Sequence, residues 1–261
     1  MNYGVEDMKY WNVSLNIWRE SLRDRALIIL TLSGLSMIVF SIVLGGMAVG
    51  GMSRVIQSMG FWVLGMWGLI SSIYLGGSII LREIKEKTIY LVLSRPISRL
   101  SFLIGKFIGI LMVMATSYSI LVCVWLIVAV GCGVDLNVVH YWVLIFIFSE
   151  WVLLAAVSIF FACFTTPLLH AMIMVGFYFI GHLSNILRIY AANSDVLLMK
   201  GFLKCMYFVI PNLEALNFRS EAIYNENVPF DLLLGCVGVL GLWVTLFLIA
   251  GVTVFNARRI P

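Results

Sequence analysis

Six long apolar runs alternate with short polar stretches along the chain, at about residues 26–48, 59–81, 100–130, 139–164, 168–187 and 230–255. Crossing a bilayer's hydrocarbon layer takes roughly 20 apolar residues in a helix, and each run meets that length. Ahead of them, residues 9–25 carry Trp11, Leu15, Trp18 and Leu22 at helical spacing, with Arg19, Glu20, Arg23 and Asp24 largely on the other face. Such a pattern predicts an amphipathic helix lying in the headgroup layer. Because acids and tryptophans precede the first run and no small-residue cleavage site follows it, that run reads as a retained span rather than a signal peptide.

The longest polar connection, residues 188–229, contains the moderately apolar VLLMKGFLKCMYFVI, broken by Lys200, Gly201 and Lys204. Charges within so short a run disfavour a full crossing and predict an interfacial or re-entrant helical pair, stopped at Pro211-Asn212. No internal repeat appears, so an inverted-repeat carrier gains no support.

Composition agrees with the pattern. Hydrophobic residues make up 62% and charged residues 11%, against roughly a quarter charged in a soluble domain. The chain reads as an all-α integral membrane protein of six transmembrane helices, an N-terminal cytoplasmic segment over residues 1–25 and a membrane domain over 26–261. It leaves no room for a sizeable soluble domain, so energy has to arrive from outside it. The five cysteines are scattered, and neither a metal site nor a disulfide framework is legible.

Charge sets the orientation. With the amino terminus inside, Lys9, Arg19, Arg23 and Arg25, the six basic residues of 82–106, and Arg258 and Arg259 fall on the cytoplasmic side, while Arg54, Arg188, Lys200, Lys204 and Arg219 fall outside. This bias predicts two cytoplasmic termini. Lys106, inside the third run, is expected to snorkel to the interface.

Candidate chemistry is sparse. There is no Walker A loop, since Gly105-Lys106 lacks the earlier glycine and precedes Phe107, and there is no hydrolase motif, so no catalytic residue is assigned. Three ionisable residues lie within predicted spans: Glu150 near the middle of the fourth, His170 near the start of the fifth and His182 towards its outer end. A charge in hydrocarbon is costly and needs a partner. Glu150 fits a hydrogen-bonded clamp between helices and the histidines fit wet interface positions; the functional alternative is a proton pathway or polar substrate contact through Glu150 and His182. The small residues Gly60, Gly65, Gly68, Ser71, Ser72, Gly76 and Gly77 of the second run predict close helix approach.

Residues 82–106, REIKEKTIYLVLSRPISRLSFLIGK, form the one strongly charged stretch between spans. Glu83 to Ser94 lacks a helix breaker, and Ile84, Thr88 and Leu91 recur at helical spacing, which predicts a short surface helix. Pro96 ends it by pushing Arg95 out of helical backbone, and Ser98 caps the next helix.

Glu86 and Thr88 followed by LSRPISR, then Phe102 and Gly105-Lys106, resemble the signature of type-2 ATP-binding-cassette (ABC-2) exporter permeases, with Lys87 where many relatives have glycine. The resemblance implies a coupling helix between spans two and three, with Glu83, Glu86, Thr88, Ser94, Arg95, Pro96, Ser98 and Arg99 docking on a separate cytoplasmic ATPase, two copies of which bind ATP and Mg. It also implies a second permease copy or paralogue, re-entrant helices before span six, residence in a bacterial inner membrane among lipids, and no nucleic-acid partner. Spans two and five of the two protomers would face the path, which makes Trp62, Met66, Ile73, Met174, Phe177 and Tyr178 path-lining candidates. Two rival readings are a proton-coupled carrier using Glu150 and His182, and a non-transporting subunit that relays ATPase motion.

Overall fold

A computed structural model describes residues 3–81, 99–193 and 197–257. Glu83, Glu86, Thr88, Ser94, Arg95, Pro96 and Ser98 lie outside the described residues, as do Arg258 and Arg259. The regular structure among the described residues is helical: α1 (Tyr3–Ser21), α2 (Arg25–Met47), α3 (Met52–Gly76) continuing as a π-helical stretch (Gly77–Leu81), α4 (Arg99–Gly131), α5 (Val138–Ala162), α6 (Pro167–His182), α7 (Ser184–Asn193), α8 (Leu197–Val209), a 3-10 turn (Glu214–Leu216), α9 (Arg219–Tyr224) and α10 (Phe230–Ala257). Arg99 is thus the first residue of α4.

Five of these, α2, α3, α4, α5 and α10, are long and apolar enough to cross a membrane, and a sixth crossing results if α6 and the start of α7 count as one span bent by 67°. The second span starts at Met52 rather than near residue 59. Its first turns look polar, but Ile56 and Gln57 point into the protein, where Gln57 Oε1 lies 3.1 Å from His140 Nε2. Before the last span lie two short helices packed on each other, α7 and α8; the run at 196–210, expected as a helical pair, is the single helix α8, which continues through Lys200, Gly201 and Lys204, and α7 starts where the chain turns at Leu183.

α3 and α5 occupy the middle of the bundle, and α2 and α10 lie at its periphery. The glycines of α3 do not simply bring backbones together; they open slots for large side chains. A Cβ on Gly60 would sit 2.0 Å from Trp125 Nε1, one on Gly68 2.0 Å from Trp151 Nε1, and one on Gly76 1.8 Å from Ser158 Oγ. In each slot the inserted group donates to the carbonyl one turn earlier: Trp125 to Ile56, Trp151 to Leu64 at 3.1 Å, and Ser158 to Ser72 at 2.7 Å. That carbonyl already accepts the glycine's own N–H, and the missing Cβ uncovers its second lone pair. A buried indole N–H therefore finds a partner without a polar side chain on α3. Trp67 stacks on Trp151 at 4.8 Å and Tyr118 meets it edge-on at 4.6 Å, so the centre of the bundle is aromatic.

α1 packs along α4 through Ser14, Ile17, Trp18 and Ser21, so of its most apolar stripe Trp18 turns to the bundle while Trp11 and Leu22 do not. Ser14 Oγ donates to Gly105 O at 2.8 Å, Trp18 Nε1 to Thr116 Oγ1 at 3.0 Å, and Ile17 covers Gly109. Trp11 and Leu22 stay exposed, as do Arg19, Glu20 and Arg23. Ser14 and Ser21 face the bundle because small residues allow close packing, and Gly109 makes room for Ile17, which leaves Trp11 and Leu22 for the membrane. Asp24 then caps α2 through Ala26 N and accepts from Tyr74 OH at 2.6 Å, tying the α1–α2 turn to the end of α3.

Candidate functional site

Among the described residues, two buried clusters that contain charged side chains interrupt the apolar bundle. The first surrounds Glu150, the central residue of α5, whose side chain is 4% exposed. Its carboxylate holds two partners. Oε1 lies 2.9 Å from His182 Nε2, and Oε2 accepts from Arg219 Nη2 at 3.2 Å. The other ring nitrogen of His182, Nδ1, lies 3.4 Å from Glu214 Oε2, which also accepts from Asn217 Nδ2 at 3.2 Å.

Local structure explains how residues so distant in sequence meet. His182 is the last residue of α6, just before the bend, and Tyr178 one turn earlier packs edge-on against its ring at 4.5 Å. Across the bend runs the segment 211–225. Leu213 N donates to Gly181 O at 3.2 Å, and the Leu213 side chain fills the space where a Cβ on residue 181 would stand, 2.7 Å away. Ser184 Oγ donates to Asn212 Oδ1. Leu213, Leu216, Phe218 and Ala222 are buried, with Phe218 edge-on to Phe146 at 5.0 Å one turn before Glu150 on α5. The segment is thus seated in the bundle, and Arg219, the first residue of α9, reaches Glu150 by lying across Gly65. A Cβ there would be 2.6 Å from Nη2.

The second centre is at the other end of α3. Lys106 is 1% exposed, and its Nζ donates to Ile79 O at 2.8 Å within the π-helical stretch and lies 4.8 Å from the Phe102 ring. The expected snorkelling does not occur: the ammonium turns into the protein, onto a carbonyl of a stretch where regular helical pairing is altered. One bond thereby joins the ends of α3 and α4 that flank residues 82–98.

The histidines are not wet surface groups either. His182 belongs to the Glu150 cluster. His170 is fully buried, with Nε2 3.1 Å from Ser158 Oγ. Of the path-lining candidates, Trp62 is exposed, Met66 and Ile73 are half-buried, and Met174, Phe177 and Tyr178 are covered by the chain's own helices. Phe177 meets Phe247 of α10 at 5.8 Å, whereas Tyr178 joins the ion cluster, so the six do not share one surface. Sequence reading missed Arg219 and Glu214, having placed both in an external loop. A signal was available: a carboxylate in mid-span calls for a cation, and LNFRSEAIY sets one arginine among apolar residues.

Membrane-length helices around buried, paired charges define a multi-pass helical membrane protein whose segment 211–225 is fastened inside its bundle. The family model described as ABC-2 family transporter protein matches residues 43–259, from the end of α2 to the end of α10, and the chain belongs to that family. It is accordingly a permease subunit of an ABC transporter, the membrane part, which associates with an ABC ATPase and is not itself that ATPase. No curated protein matches the chain in sequence.

Proposed function

We propose that this permease exports its substrate, working as two copies or with a related partner around a shared path, driven by two cytoplasmic ATPases that push on residues 82–99. The observation that carries the reading is the Lys106 to Ile79 bond. It joins the two helices on either side of the docking segment, so a push there would move α3 and α4 together as a rigid pair. ATP and Mg belong to the ATPase. Both chain termini lie in the cytoplasm of a bacterial cell, and the path runs along the faces of α3 and α6. Trp62, Met66 and Ile73 line it in the resting form; Met174, Phe177 and Tyr178 join it when α6 moves. An apolar groove of about 290 Å³ between α5, α10 and the 211–216 segment, lined by Leu153, Leu216, Leu240 and Trp243, supports a lipid or other amphiphile as substrate.

The test uses the permease purified with its native ATPase and reconstituted in liposomes with the ATPase facing outward. Arg95→Glu and Pro96→Ala are expected to abolish transport-coupled ATP hydrolysis while leaving membrane insertion intact. Normal stimulation in both variants, or amphiphile leaving rather than entering such liposomes, counts against the proposal.

A further inference from the structure

We infer that His182 is held as an imidazolium, and that its extra proton fastens the outer segment 211–225 to the bundle. The inference deepens the proposed function by assigning regulation to the same helices. It rests on hydrogen-bond bookkeeping. A neutral imidazole has one N–H and one lone pair, yet both nitrogens of His182 face carboxylate oxygens, Glu150 Oε1 at 2.9 Å and Glu214 Oε2 at 3.4 Å. A neutral ring would set a lone pair against a carboxylate on one side, whereas an imidazolium donates to both.

The extra proton belongs on the ring rather than on either acid. Glu150 Oε2 already accepts from the Arg219 guanidinium at 3.2 Å, and Glu214 accepts from Asn217 at 3.2 Å. With His182 charged, two carboxylates face two cations and the cluster is neutral; with His182 neutral, Arg219 alone faces two carboxylates, Glu150 buried and Glu214 partly exposed. The other titratable groups beside the cluster are the phenols Tyr178 on α6 and Tyr118 on α4. α3 contributes Gly65, which has no side chain.

The proton bridges two different bodies. Glu150 is on α5 and His182 on α6, but Glu214 and Arg219 belong to the outer segment. Loss of the proton leaves the ring one N–H, which stays with the nearer oxygen, Glu150 Oε1 at 2.9 Å, and removes the tie to Glu214, which loosens the segment over the end of α6.

The chain has three histidines, His140, His170 and His182, so 15N-histidine labelling of the full chain in lipid nanodiscs resolves each imidazole. The His182 resonances, assigned by their loss in His182→Gln, are expected to be those of an imidazolium at neutral pH and to become those of a neutral ring in Glu214→Gln. Amide hydrogen exchange, corrected for its intrinsic pH dependence, is expected to show protection of residues 213–222 falling about tenfold or more in His182→Gln. A neutral His182 tautomer at neutral pH, or protection in His182→Gln equal to that of the unaltered chain, overturns the inference. Neither measurement needs an ATPase or a substrate, so their outcome is separate from that of the export test.

Discussion

Arg219 and Glu150 are 69 positions apart and meet at 3.2 Å, one from a short helix before the last span and the other from the centre of α5. Their meeting joins the segment 211–225 to the middle of the bundle, and it depends on Gly65, whose missing Cβ leaves the channel through which the guanidinium passes.

Removing one partner of this pair strands the other. Glu150→Gln and Arg219→Met are each expected to destabilise the chain, towards the lower end of the roughly 3–5 kcal/mol seen for broken buried ion pairs, since the Arg219 side chain is 19% exposed. The double variant should cost less than the sum of the singles. Thermal unfolding of all three in one detergent measures this coupling, and strict additivity would show that the contact contributes nothing.

Gly68→Ala places a methyl group 2.0 Å from Trp151 Nε1, so the indole must leave its slot and its bond to Leu64 O. A loss of about 1–3 kcal/mol is expected. Gly46→Ala has nothing within 4 Å of the new Cβ and should be neutral or slightly stabilising. Equal melting temperatures for the two variants would show that α3 glycines do not act as slots.

Gly65→Ala tests the latch without touching a charge. Its Cβ would lie 2.6 Å from Arg219 Nη2 and should separate the guanidinium from Glu150. The expected result is exchange of the 213–222 amides as fast as in Arg219→Met, with α1 to α4 unaffected. Unchanged exchange would mean that Arg219 reaches Glu150 by another route.

Lys106→Met keeps the length of the side chain and removes the donor to Ile79 O. In the complete complex it should leave basal ATP hydrolysis in place and lower transport per ATP hydrolysed. Measured ratios equal to those of the unaltered complex would separate this bond from coupling.

Much of the architecture was legible in the linear pattern because span formation is a local property: apolar length decides whether a helix satisfies its backbone in hydrocarbon. The runs near 26–48, 100–130, 139–164 and 230–255 reappear as α2, α4, α5 and α10. The run holding Lys200, Gly201 and Lys204 is too short to cross, as its charges suggested, but it folds as the one helix α8 rather than as a pair. Glu150 was recognisable as a residue needing a partner, because a charge in mid-span is costly wherever it occurs.

What the pattern determined, then, was which segments cross, which lie short, and that a carboxylate is buried. Only the tertiary structure decided that Arg219 and His182 answer it, that α1 turns Ser14 and Ile17 to α4 while Trp11 stays outside, that Lys106 binds Ile79 rather than the interface, and that tryptophans fill the gaps left by Gly60 and Gly68. Hydropathy sums over neighbours in sequence. The pairing of charges and the filling of slots depend on which side chains the packed helices bring within about 3 Å of each other, and no local periodicity contains that distance.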